Sequence, residues 1–246
     1  SEMCIRDRTR PYRNAAGGEE LRDTLCRESV TYTVRRNNIE VTASHRFCNA
    51  APVTIAIYYG MQSMFEGETH VLTPGGAYTD WTEAAKASTF TKQKYPLFRR
   101  YVEKNRQGYQ STWLLPDGLG DHALLDGQDD IFIYAPYGKS YHKLIGNKRM
   151  ENGDKTCWRG VYTWFETPVA DDADLLCYEG SAGGHTAVFI DCKRACKRTL
   201  ALPGYLDLRH FGTAEQNGGI RISAAGRNKL KIKADAPGSC VLLLRE

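Results

Sequence analysis

The sequence predicts an all-β fold, a large antiparallel β-sandwich forming one domain over residues 9–246. Three observations lead there. Apolar and polar residues alternate at period two through many short segments, Pro/Gly/Asn turn chemistry separates those segments, and neither α/β alternation nor a glycine-rich phosphate loop interrupts them.

The clearest segment is residues 30–65, which read strand, turn, strand, strand: VTYTV at 30–34, a polar turn at 35–38, IEVTA at 39–43 and VTIAI at 53–57. β-Branched and aromatic residues alternating with polar ones suit a pleated surface with one buried face. The third strand is expected to end at Tyr58, so that Tyr58, Tyr59 and Gln62 stand at a strand end, where ligands are commonly met. A strand at 69–73 precedes the Pro74-Gly75-Gly76 turn, and TEAAKA at 82–87 is the best helical candidate, a turn or two long. Residues 89–110, rich in Lys, Arg, Tyr and Phe and broken by Pro96, read as an extended surface loop. Further strands are expected at 111–115, 130–135, 160–166, 174–179, 186–191, 205–209, 219–223, 229–234 and 239–244, eleven or more in all. The alternating Lys229, Lys231 and Lys233 fit an edge strand, whose charge discourages pairing with other chains. Trp164, in mid-strand, is expected in the core.

Composition excludes several classes. With 33 basic against 29 acidic residues the net charge is +4, and the basic clusters (Arg35-Arg36, Arg99-Arg100, Lys148-Arg149, Lys193-Arg194) are scattered, so no nucleic-acid partner is expected. No apolar run is long enough for a membrane helix, and no membrane partner is expected. Residues 1–8 (SEMCIRDR) resemble a translated sequencing-adaptor remnant of metagenomic origin and are set aside from fold reasoning, with a further domain expected upstream. The compartment is left open: periplasmic or extracellular if a signal peptide lay upstream, cytoplasmic otherwise. Outside that segment stand Cys26, Cys48, Cys157, Cys177, Cys192, Cys196 and Cys240, an odd number without a short-range framework. Cys192 and Cys196 form the one close pair, and their spacing is not the Cys-x-x-Cys of zinc or redox sites, so both read as buried thiols. No cofactor and no metal are expected. Asp126, Asp129 and Asp130 lack the glycine and terminal glutamate of a calcium loop.

The segments VTYTV, NIEVTA (38–43) and PVTIAI (52–57) resemble the central strands of aldose 1-epimerases, the galactose mutarotases, and their wider supersandwich class. In that family the third strand runs into an Asn-His-Ser-Tyr-Phe segment whose His is a general acid on a sugar ring oxygen; Tyr58 stands at the matching position here. Asp121-His122 is similar to the family's Asp-His segment, whose Asp binds sugar hydroxyls. Glu166-Thr167, with Asp171 soon after, is similar to the Glu-Thr-Gln segment that carries the general base. The three matches fall in family order. What the resemblance implies is a supersandwich-like fold, a carbohydrate ligand and a part in a larger bacterial sugar-processing protein.

Three residues are candidates for catalysis: Glu166 beside Trp164 and Phe165 as acid or base, His122 in a flexible glycine-flanked turn, and Tyr58 in the role of the missing His. Asp121, Tyr59, Gln62, Trp81 and Trp113 are candidates for substrate binding, because flat apolar rings edged by polar groups suit the C–H faces and hydroxyl rims of sugars. His142 and His185 are further candidates for proton transfer. Two functions stay open: an enzyme acting on a glycan by epimerisation, hydrolysis or elimination, and a noncatalytic β-sandwich that binds glycan, braces a catalytic neighbour or serves adhesion.

Overall fold

The computed structural model describes residues 2–13, 20–64, 68–72, 78–80, 99–115, 131–134 and 139–244. These form an all-β sandwich in which every strand pairing is antiparallel. In chain order the strands are β1 (Glu2–Arg13), β2 (Glu20–Arg35), β3 (Asn38–Phe47), β4 (Val53–Met64), β5 (His70–Leu72), β6 (Tyr78–Asp80), β7 (Arg99–Asn105), β8 (Gly108–Leu114), β9 (Ile131–Tyr134) and β10 (Lys139–Met150). There follow β11 (Lys155–Phe165), β12 (Ala170–Asp171), β13 (Leu175–Ala182), β14 (His185–Cys192), β15 (Cys196–Ala201), β16 (Phe211–Asn217), β17 (Ile220–Ala224), β18 (Lys229–Ala234) and β19 (Gly238–Leu244).

They assemble into four sheets. Sheet I is β4-β10-β9; sheet II is β1-β2-β3-β11-β8-β7-β5-β6; sheet III is β12-β13-β14-β19-β16; sheet IV is β15-β18-β17. The order of the layers follows from which way side chains point, since successive residues of a strand face opposite sides. On β13, Leu175 and Cys177 join a core with Leu230 and Ile232 of sheet IV. Their neighbours Leu176 and Tyr178 join a second core with Trp113 and Val161 of sheet II. Sheet II's opposite face, through Val41, Leu114 and Trp158, packs on Met61 and Leu144 of sheet I. The stack is therefore I–II–III–IV. Sheet III is buried on both faces, which is why β19 reads as an almost unbroken apolar run, Cys240-Val-Leu-Leu-Leu244.

The structure corrects several expectations. The third strand does not stop at Tyr58: β4 runs on to Met64, because tyrosine suits a strand and β4 stays paired with β10 as far as Met64, with Gly60 leaving room for Leu144 of β10, which an added Cβ would overlap. Of the expected loop at 89–110, the part from Arg99 onward is the β7–β8 hairpin, with Arg100, Tyr101, Val102 and Glu103 all buried. Its many charged and polar residues hid a strand that becomes possible only because partners from other sheets compensate them. Residues 205–209 make no strand; Leu208–His210 is a short 3-10 turn, with the Asp207 side chain accepting from Arg209 N–H. The lysine strand β18 is the centre of sheet IV, not an edge, and its lysines cover the outer face while Leu230, Ile232 and Ala234 point inward. Trp164 is 40% exposed: it shares the face of β11 that Trp158 presents to sheet I, yet is left uncovered there. Strands β6, β10, β12, β15 and β16 had no expected counterpart. Residues 2–8, set aside in the sequence, pair in register with 28–34 of β2. The helical candidate at 82–87 lies outside the described residues.

A buried ion pair lies between sheets II and III. Arg100 of β7 donates to Asp191 Oδ1 at 2.6 Å, to Ile190 O at 2.9 Å and to Cys240 O at 3.4 Å, and lies over the Phe189 ring at 5.2 Å. Burial works against the guanidinium's charge, but the Asp191 carboxylate outweighs it and holds its pKa above the ordinary value. Removing one member of such a pair strands the other in a low-dielectric interior. Arg100→Met is expected to cost about 3–5 kcal/mol of unfolding free energy in urea melts, with partial recovery when Asp191→Asn is added; a loss below about 1 kcal/mol, in the range of an exposed pair, would show that the pair is not structural.

Candidate functional site

An open cleft of about 900 Å³ lies at one end of the stack. Three turns of sheet II converge on it. The β2–β3 turn brings Arg36 and Asn37, the β7–β8 turn brings Gln107, and the connection after β11 brings Glu166, Thr167 and Pro168. Glu179 of β13 and Tyr205, in the loop after β15, come from sheets III and IV. The turns fit together because Gly108, at φ +131°, approaches the Phe165 carbonyl so closely that a Cβ would lie 3.0 Å from its oxygen.

The cleft's apolar surface is aromatic. Trp164 is stacked on Tyr162, centroids 6.0 Å apart and rings 18° from parallel, while Tyr205 is 71% exposed. Beneath them runs a column of rings. Tyr109 stacks on Phe165 at 4.7 Å, Phe165 on Tyr178 at 4.3 Å, Tyr178 on Phe189 at 4.8 Å, and Phe189 meets the edge of Trp113 at 5.6 Å. The column anchors the wall of the cleft to the core between sheets II and III. Polar groups ring the opening: Tyr205 donates to Glu179 Oε2 at 2.5 Å, a bond that raises the tyrosine's pKa, and Glu166, Asn37, Gln107 and Arg36 supply further donors and acceptors.

The sequence candidates are dispersed over the molecule. Glu166 lines the cleft and is exposed. Trp113 is 1% exposed at the inner end of the ring column, a core residue rather than a cleft wall. Tyr58 sits between sheets I and II, where its hydroxyl accepts from Trp158 Nε1 at 2.9 Å and its ring meets the edge of His45 at 5.1 Å. It does not line the cleft with Glu166. Tyr59 is half-buried in mid-strand, opposite Lys143 of β10. Gln62 is exposed, and its backbone N–H and carbonyl both bond the Tyr162 hydroxyl, at 3.0 and 3.1 Å. Burial pushes that phenol up to about 12. Asp121, His122 and Trp81, with the aspartates at 126, 129 and 130, lie outside the described residues. His142 is fully buried with its ring 4.8 Å from Tyr101, and His185 is exposed at the start of β14.

Sequence reasoning missed most of the cleft. Arg36 and Asn37 are legible as a turn but not as cleft residues, and Tyr205 stands at the head of the expected strand 205–209, which the structure makes a loop and a 3-10 turn. Also unforeseen is a buried chain of hydrogen bonds beside Tyr58: Glu28 Oε2 to His45 Nε2 at 3.0 Å, and His45 Nδ1 to Thr156 Oγ1 at 3.0 Å. Cross-strand register alone makes it, since Glu28 and Thr156 are the two partners of His45 in sheet II. Among the described residues, no group of three or more His, Cys, Asp or Glu is arranged to hold a metal ion, and no helix is long and apolar enough to cross a membrane. Comparison with family profiles, curated proteins and solved structures gives no match to this chain.

Asp171, beside Glu166 in the sequence, is an ionic hub. It accepts from Lys193 Nζ at 2.6 Å, Lys104 Nζ at 2.8 Å and Tyr109 hydroxyl at 2.7 Å, tying sheets II and III to the loop leading into sheet IV. Asp172 and Asp174 add Arg198, and Asp174 also takes Arg194. Burial alone would raise the Asp171 pKa, but the bonds from Lys104, Lys193 and Tyr109 win and lower it. A carboxylate with a lowered folded-state pKa stabilises the fold above the unfolded value, near 3.8, and loses that contribution as pH falls through the lowered one. The thermal midpoint is therefore expected to fall between about pH 5 and pH 3. Asp171→Asn should melt lower at neutral pH and show a shallower acid decline; parallel curves for the two proteins would refute the hub's role.

Proposed function

We propose that this chain is a carbohydrate-handling β-sandwich that binds a glycan in the end cleft. The observation that carries the reading is the pairing of uncovered aromatic surface, Trp164 and Tyr205, with a rim of Glu166, Glu179, Asn37, Gln107 and Arg36 around one open cleft. Leaving an indole and a phenol in water forgoes the stabilisation their burial would give, and a sugar ring recovers it by laying its C–H face on them. The carboxylates and amides then meet its hydroxyls, the division of labour usual in small-molecule sites. The resemblance of the strands at 30–57 to galactose mutarotases points to the same ligand class. Binding is favoured over epimerisation because Tyr58, the proposed stand-in for the family's general acid, has its hydroxyl bonded to Trp158 and lies apart from Glu166.

One observation favours a second, hydrolytic reading: Glu166 and Glu179 line the same cleft, and a pair of carboxylates is the requirement for glycoside hydrolysis. A glycan array followed by titration calorimetry on the best hit tests both. Trp164→Ala is expected to weaken binding by about two- to tenfold, the loss of one ring-stacking contact worth roughly 0.5–1.5 kcal/mol. Glu166→Gln should retain most of the affinity. Turnover of the bound glycan that disappears in Glu166→Gln would establish the hydrolytic reading, whereas no binding to any glycan, or unchanged affinity in Trp164→Ala, would remove the cleft from consideration.

A further inference from the structure

We propose that Cys192 and Cys196 are a redox-modification site, a dithiol that closes to a disulfide and staples sheet IV onto sheet III. The argument rests on geometry. Cys192 is the last residue of β14 and Cys196 the first of β15, so the pair brackets the three-residue crossing from one sheet to the other. Their sulfurs are in contact at 3.9 Å, and both residues are thiols. Closing the bond requires an approach to about 2.05 Å, a distance that side-chain rotation alone spans when both backbones are already near each other.

The crossing is held in that shape independently of the sulfurs. Lys193 N–H donates to Asp174 O at 2.8 Å and its ammonium to Asp171 at 2.6 Å, Arg194 pairs with Asp174, and Arg198 with Asp172 and Asp174. The dithiol is thus presented by a loop pinned on both sides, so forming the bond orders little that is not already ordered. Cys196 is half-buried and Cys192 is 1% exposed, which fixes the order of events. A small disulfide oxidant such as oxidised glutathione meets Cys196 first. The Cys196 thiolate attacks it, forming a mixed disulfide and releasing one glutathione thiolate. Cys192 then loses its proton to solvent and attacks the Cys196 sulfur; the intramolecular bond forms and the second glutathione leaves. The protein gives up two electrons and two protons, and the oxidant accepts the electrons. Burial, with Cys196 alongside, pushes the Cys192 thiol up, so the second step is the slower one and quickens as pH rises.

Two further thiols occupy the same core, Cys177 and Cys240. Both are competing partners, because Cys177 on β13 and Cys240 on β19 flank β14 on either side, each opposite Ile190. The sequence between the pair makes the test direct. Trypsin cleaves after Lys193 and after Arg194, so peptides carrying Cys192 and Cys196 part company unless a disulfide joins them. The native protein is incubated with oxidised glutathione, quenched in acid, alkylated and digested without reductant. The expected result is one linked pair of peptides, lighter by two hydrogens than the separate thiols, abolished by dithiothreitol and by Cys196→Ser but kept in Cys240→Ser and in Cys177→Ser, the latter required because Cys177 shares the 160–193 tryptic peptide with Cys192. A thermal midpoint raised by roughly 2–4 °C in the oxidised protein, and restored by reductant, would support the staple. Full alkylation of both cysteines after oxidation, or a link running to Cys177 or Cys240, overturns the proposal. If Cys196→Ser does not fold, the wild-type, Cys177→Ser and Cys240→Ser digests decide the matter by themselves.

Discussion

Everything in this fold depends on the burial of sheet III from both sides. Strands β13, β14 and β19 alternate their side chains between two cores, so that Cys177, Val188 and Leu242 meet sheet IV while Tyr178, Phe189 and Val241 meet sheet II. A strand with no polar face is stable only if a full sheet covers each side. Sheet IV, with three strands, and sheet II, with eight, are those covers; sheet II carries a second core against sheet I on its other face, whereas the buried side chains of sheet IV all join the core with sheet III. The lysine-lined outer face of β18 makes sense in this frame: sheet IV is the last layer, and its charge faces water because its apolar face is committed inward.

Between sheets II and III the packing is not purely apolar. The ring column from Tyr109 to Trp113 and the Arg100–Asp191 pair lie side by side, joined where the guanidinium covers Phe189. The column gives the interface rigid, flat surfaces that pass from the core to the cleft without a break. Such a base positions Trp164 and Glu166, which precede and follow Phe165 in the chain by one residue, without their needing contacts of their own. The cleft is therefore a property of the sandwich end: turns from sheet II, a strand of sheet III and a loop leaving sheet IV meet where the layers stop. The ionic hub at Asp171 serves the same end of the molecule by fixing the chain as it crosses from β14 into β15.

Much of the strand content was legible because alternation is a local signal. Segments such as 39–43, 186–191 and 229–234 show it plainly, and all three are strands. The strands that escaped notice fail the local test for identifiable reasons. Arg100 and Glu103 in β7 and Ser140 and His142 in β10 are buried polar residues, unreadable as core until partners from distant strands are known. The cleft was half legible at best. Glu166 could be singled out because it ends an aromatic strand before a proline, but Arg36, Gln107, Glu179 and Tyr205 carry no shared sequence signature and are separated by up to 169 positions.

By itself, the sequence determined that the chain is built of antiparallel strands, since period-two patterning and turn chemistry act within a few residues of one another. Tertiary structure alone decided which face of each strand is inside, and so which aromatic residues are core and which are surface. Trp113 and Trp164 look alike in the sequence, both flanked by β-formers. The first is enclosed because β8 lies in the middle of sheet II beneath sheet III, and the second is uncovered because sheet I does not reach it. Coverage is a relation between layers, and no local pattern encodes it.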